Sequence, residues 1–145
     1  MNINIICIGK IKDKYINEGI AEFSKRMTSF VNLSIIELKE YNKEDNMNIS
    51  IDKESQDILK QLSKSVSYNI LLDLNGKELS SEDMSKYIED LKNKGTSSIN
   101  FIIGGSNGVN KELKNSVDMK LKFSHFTFPH QLMRLILLEQ VYRWF

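Results

Sequence analysis

The sequence is poor in the residues that staple or punctuate a chain. In 145 residues it has one cysteine, Cys7, and one proline, Pro129. A lone thiol builds no disulfide framework, and no Cys/His spacing suits zinc, so no metal site is expected. Only two histidines occur, His125 and His130, and no Ser/His/Asp or Cys/His set is visible. The dinucleotide pattern GxGxxG and the phosphate-loop pattern GxxxxGK[ST] are both absent. The formal net charge is +1, which excludes a nucleic-acid binder that works by bulk field alone. A local basic face remains open, with Lys10, Lys12, Lys14, Lys25 and Arg26 as its candidates. No apolar run is longer than Leu135 to Leu138, which is too short to cross a bilayer. The N-terminus has neither the charged start nor the apolar stretch of a signal peptide, so the expected location is the cytoplasm. No repeat, low-complexity tract or linker divides the chain, and residues 1–145 are expected to form one domain.

What is present is an alternation of short apolar runs with helical stripes. Asn4 to Gly9, Leu33 to Leu38, Tyr68 to Leu74, Ile99 to Ile103 and Met119 to Phe123 read as strands. Ile16, Ile20, Phe23, Met27 and Phe30 form the stripe of a first amphipathic helix. Lys39 to Ile49 is polar, Asn-rich and aperiodic, and is expected to be a mobile surface loop. A second helix is expected from Ser50, its N-cap, with Ile51, Ile58, Leu59 and Leu62 on one face. Asn75-Gly76 is read as a strand-to-helix connection, followed by a helix opened by Ser80-Ser81-Glu82-Asp83. Met84, Tyr87, Ile88 and Leu91 are its inward face, and Gly95 ends it. A short helix over Lys111 to Ser116 and a last one from about Pro129 complete the set. Strands alternating with helices predict an α/β fold, a mostly parallel sheet flanked by helices.

Two stretches stand out as a site. Three of the seven glycines lie in Gly104-Gly105-Ser106-Asn107-Gly108, directly after an apolar strand. The only proline lies in Phe126-Thr127-Phe128-Pro129-His130, directly after another. Ligands of open α/β sheets bind outside the carboxyl ends of the strands. Glycines there permit positive φ and close approach of a ligand, and such turns hold anions or an adenine edge on backbone N–H groups. A plain strand-to-helix turn is the alternative. The last helix, HQLMRLILLEQVYRWF, is apolar nearly all round, broken by Arg134, Glu139, Gln140 and Arg143. That pattern predicts burial against a second subunit, since Trp144 and Phe145 at the terminus need a cover. A histidine in a first turn, such as His130, is more often a packing residue than a base. Residues alone thus predict an α/β domain with a small-molecule site at the Gly104 and Phe128 loops.

Four motifs together carry a more specific resemblance: GKIKDKYINEGIAEFSKR, GGSNG, FSxxTFPHQLxR and LLEQVYR, in order across the whole chain. The sequence closely resembles the large-subunit ribosomal RNA pseudouridine N3-methyltransferases called RlmH, of the SPOUT class. The resemblance implies a C-terminal trefoil knot, a homodimer, and S-adenosyl-L-methionine as cofactor. The implied substrate is N3 of a pseudouridine in 23S ribosomal RNA within the ribosome. It implies a cofactor pocket of Leu72, Gly104 with Gly105, and the run Phe123, Ser124, His125, Phe126, Thr127 and Phe128. The family pattern continues past the YR-aromatic position with a tail resembling K-I-x-R-G-E-x-Y-H, whose tyrosine and histidine would act at the target base. The present sequence ends at Phe145, which leaves His130 and Arg134 as the catalytic candidates. The alternative expectation is a catalytically impaired dimeric module that binds cofactor or RNA. A nucleotide-phosphate binder using the glycine loop is a third, weaker one.

Overall fold

In the computed structural model, which describes residues 1–41 and 46–145, one five-stranded sheet carries the fold. The elements in chain order are β1 (Asn2–Ile8), α1 (Lys14–Met27), β2 (Asn32–Leu38), α2 (Met47–Leu62) and β3 (Tyr68–Glu78). They continue with α3 (Ser81–Asn93), β4 (Ser98–Ile103), α4 (Lys111–Ser116), β5 (Met119–Lys122) and α5 (His130–Trp144). The sheet order is β2-β1-β4-β3-β5 and every pairing is parallel. The expected α/β architecture is therefore the observed one. Buried residues fall into two clusters, one on each side of the sheet. Ile5, Cys7, Phe101 and Ile103 pack with α1, α3 and α5, while Ile6, Ile8, Leu71 and Ile102 pack with α2 and α4. Alternate residues of one strand thus feed opposite cores, as a sheet covered on both faces requires.

The order matters more than the count. β3 lies between β4 and β5, so the loops that follow β4 and β5 flank the end of β3. Register across β1, β4 and β3 is set partly by amides. Asn4, Asn100 and Asn69 are direct cross-strand partners. Asn4 Nδ2 donates to Asn100 Oδ1 at 2.9 Å, and Asn100 Nδ2 donates to Asn69 Oδ1 at 2.9 Å. Asn100 is only 3% exposed, so a one-residue slip would bury its amide without partners.

Several sequence expectations are corrected. β3 does not stop at Leu74: it runs to Glu78, with Asn75 and Gly76 inside it. Both Leu72 and Lys77 pair with Leu121 of β5, so residues 73–76 bulge out of the ladder. The reason is steric room, because a Cβ on Gly76 would stand 2.7 Å from the backbone C and O of Lys120. Ser50 is not the cap of α2. Asn46 is, its Oδ1 accepting from Asn48 N at 2.9 Å. Ser50 lies one turn inside, buried, its hydroxyl donating to the carbonyl of Tyr41. The expected loop over residues 39–49 is thus helical from Met47, and its part at residues 42–45 lies outside the described residues. Phe30 falls beyond the end of α1, where its ring stacks on Tyr142.

Gly76→Ala should cost about 1–3 kcal/mol, because backbone cannot yield as a side chain does. Urea unfolding of the variant measures this; an unchanged midpoint would refute the close approach.

Candidate functional site

The carboxyl ends of β3, β4 and β5 open into a cavity of about 580 Å³. Small-molecule sites commonly have this size. Leu72 precedes the bulge of β3 and Asp73 to Asn75 belong to it, while Ile103 to Val109 come from the end of β4 and its glycine loop. Leu121, Phe123, Ser124, Phe126, Thr127 and Phe128 come from β5 and the loop behind it. Pro129, His130 and Met133 at the start of α5, with Lys114 from α4, complete the lining.

Of the cofactor residues expected from the sequence, Leu72, Gly104, Gly105, Phe123, Ser124, Phe126, Thr127 and Phe128 meet at this cavity. His125 is not among the lining residues. Its ring turns outward, with Nδ1 3.0 Å from Lys122 Nζ and Nε2 3.4 Å from Glu78 Oε2. Ser124 Oγ accepts from Phe126 N at 3.0 Å and so tightens the turn that exposes Phe126. Asp73, Asn75, Val109, Lys114 and Met133 also line the cavity, and sequence reasoning did not single them out. Asp73 carried a signal, being an acid at the end of an otherwise apolar strand. Its Oδ1 accepts from Asn75 N at 3.0 Å, which shapes the bulge.

The two catalytic candidates separate. His130 lines the cavity, and its Nε2 is buried with no hydrogen-bond partner among the described residues. Arg134, one turn further on, is 1% exposed and is not part of the lining. Its Nη1 meets Glu37 Oε2 at 2.7 Å, while Nη2 donates to the carbonyls of Ile8 and Gly9 at 2.6 and 2.7 Å. A guanidinium with this set of acceptors ties α5 to the ends of β1 and β2. Cys7 belongs to the same region, and burial pushes its thiol up to about 11, against the pull of Arg134. A thiol so raised stays neutral and acts as core.

Trp144 is covered within the chain, its ring 5.7 Å from that of Phe101 and 6.0 Å from that of Phe123. Phe145 packs on the core, with Lys92 Nζ 4.7 Å from its ring centre. Covering the terminus therefore does not demand a second subunit, which removes one reason for the expected dimer. Arg26, a candidate for a basic face, is paired with Glu22 at 3.0 Å and lies over the rings of Phe23 and Tyr142. No helix among the described residues is long and apolar enough to cross a membrane, and no group of His, Cys, Asp and Glu there could hold a metal ion.

A family model described as a predicted SPOUT methyltransferase matches residues 1–145. The chain belongs to the SPOUT methyltransferase family. Among its relatives is a ribosomal RNA large subunit methyltransferase H of Fusobacterium nucleatum, 87% identical over 145 residues, which span all of this chain and 94% of that protein. A protein of the same name from Clostridium novyi is 49% identical over 148 residues, covering 99% of this chain and 92% of the relative. A putative one from Methanococcus maripaludis is 49% identical over 150 residues, covering 100% and 94%. The resemblance drawn from the four motifs is thus met over the full length, and this SPOUT chain stands with the RlmH proteins.

Replacing Arg134 by Leu should destabilise the fold by about 3–5 kcal/mol, the usual result of stranding the partners of a buried charge. Denaturant unfolding tests it. A variant that keeps its stability but loses only activity would return Arg134 to the catalytic set.

Proposed function

We propose that the chain transfers a methyl group from S-adenosyl-L-methionine to N3 of a pseudouridine in 23S ribosomal RNA, acting on the ribosome in the cytoplasm as a homodimer. The observation that carries this reading is the convergence of the β3, β4 and β5 ends on one cavity of nucleoside size lined by His130, whose Nε2 is buried with no partner among the described residues. The residues fit the cofactor. Leu72, Ile103, Leu121 and Phe128 give an apolar slot for a purine ring, and the glycine loop supplies backbone to its edge. Asp73 and Lys114 offer one charge of each sign at the wall, suited to hydroxyl, ammonium and carboxylate groups. When bound, the cofactor supplies an electrophilic methyl group.

The chain's own work is positioning and proton handling. Methyl transfer is an in-line displacement, so holding both reactants at fixed distance removes much of the barrier. The rigid strand ends do that better than free loops. The N3 imide must give up its proton, and His130, which lines the cavity, is the residue assigned here to receive it. Arg134 serves by holding the helix that presents His130. The reading includes the trefoil knot. It is supported by β5 pairing beyond β3 and by α5 then returning to pack on α1, β4 and α3. The dimer is supported by the half-buried apolar side of α5, with Leu132, Met133, Leu135 and Ile136.

Calorimetry with S-adenosylhomocysteine should show saturable binding, and light scattering should give twice the chain mass. In single-turnover transfer to ribosomes lacking the modification, His130→Ala should lower the rate about 10²- to 10⁴-fold. Its affinity for S-adenosylhomocysteine should change little. An unchanged rate removes His130 as the base. Binding without any transfer by the unaltered chain would leave a module that holds cofactor or RNA but does not turn over.

A further inference from the structure

α2 buries two polar residues in succession, Glu54 at 5% exposure and Ser55 at 0%. Both point at the segment that follows β4. Ser55 Oγ accepts from Asn110 N at 2.9 Å, and Asn110 Nδ2 donates to Asp52 Oδ1 at 3.2 Å. The Asn110 side chain in turn caps α4, its Oδ1 accepting from Leu113 N at 2.9 Å. One end of the glycine loop is thereby fixed to α2. Glu54 meets the other end. Its Oε2 accepts from Tyr41 N at 3.0 Å, and its Oε1 lies 2.5 Å from where a Cβ on Gly105 would stand. Gly105 does not have positive φ; in the loop only Gly108 does, at +90°. At 105 the backbone conformation does not require glycine, and the space a Cβ would need is taken by the end of the Glu54 side chain.

We propose that Glu54 is a positioning residue for the cofactor loop, its carboxyl group propping Gly105 from behind so that the turn from Gly105 to Gly108 faces the cavity. The inference rests on the reading of that cavity as the cofactor site. The turn it supports is closed by Gly108 N donating to Gly105 O at 3.0 Å. Burial pushes the Glu54 carboxyl up, the N–H of Tyr41 opposes this, and Glu40 and Asp57 push it up further. Glutamine keeps the shape and an oxygen to accept from the Tyr41 N–H, so it should serve in its place.

A double-mutant cycle on the full chain tests the contact. Two readouts are followed: affinity for S-adenosylhomocysteine by calorimetry, and hydrogen exchange of the Gly108 amide by nuclear magnetic resonance. Gly105→Ala should weaken binding at least about tenfold, because the new methyl group meets a carboxyl group that is buried and held by the Tyr41 N–H, so that the turn gives way first. Adding Glu54→Ala should recover most of that loss, since the obstacle has gone. Glu54→Ala alone should speed exchange at Gly108, and Glu54→Gln should match the unaltered chain in both readouts. Glu54→Ser gives the same relief and replaces the alanine variant if that one fails to fold. Purely additive losses, or Gly108 exchange indifferent to Glu54, would overturn the proposal and put the glycine requirement on the ligand side. If the unaltered chain binds no S-adenosylhomocysteine, the cofactor reading fails, and the exchange cycle still decides whether Glu54 props the loop.

Discussion

Everything at the cavity depends on β3 lying between β4 and β5. Parallel strands bring all their carboxyl ends to one edge, but only neighbours bring their loops into contact. The chain reaches this order by crossing over: β4 is inserted between β1 and β3, and β5 is added beyond β3. A parallel sheet buried on both faces has apolar runs that say little about register. Here the amides of Asn4, Asn100 and Asn69 supply it, each strand giving one residue to a lateral chain of hydrogen bonds. Buried amides are costly when unpaired, so they penalise every register but one.

The second constraint is the anchoring of α5. Its first turn presents His130 to the cavity, and its second turn is held by Arg134. Nη2 takes two carbonyls at the point where β1 ends, so the guanidinium satisfies backbone acceptors that leave the ladder there. Backbone acceptors buried at a strand end need some donor, and a planar fork serves two at once. A residue that looks like a break in an apolar helix is therefore what fixes that helix. The apolar character on its other sides is divided between the core, through Leu137, Leu138 and Val141, and a half-buried flank.

Much of this was legible in the sequence. The five strands and the alternation with helices follow from the spacing of apolar residues, and the two loops that line the cavity are marked by glycine and proline. What was hidden depends on partners far away in the chain. Arg134 reads as catalytic with His130 because the family's tail residues are not in the sequence, yet its acceptors lie at Ile8, Gly9 and Glu37. His125 sits inside the motif expected to hold the cofactor, yet its ring turns outward to Glu78 and Lys122. The extension of β3 past Asn75-Gly76 is invisible locally, because a turn signal and a bulge signal use the same residues.

The glycine loop shows how one motif can hold several separate causes. Gly108 has positive φ, which its backbone conformation alone requires. Gly104 lacks it, but a Cβ there would stand 2.7 Å from Val109 Cγ1, within the loop itself. Gly105 lacks it too, and the obstacle is Glu54, on a helix that precedes the loop by two strands. A cluster of glycines at a strand end suggests a ligand pressing on the backbone. In this chain, the room a Cβ would need at two of the three is already taken by the protein's own side chains. The cavity side of the loop is then free to be shaped by what surrounds it, and the precision of the site is set from behind, by α2.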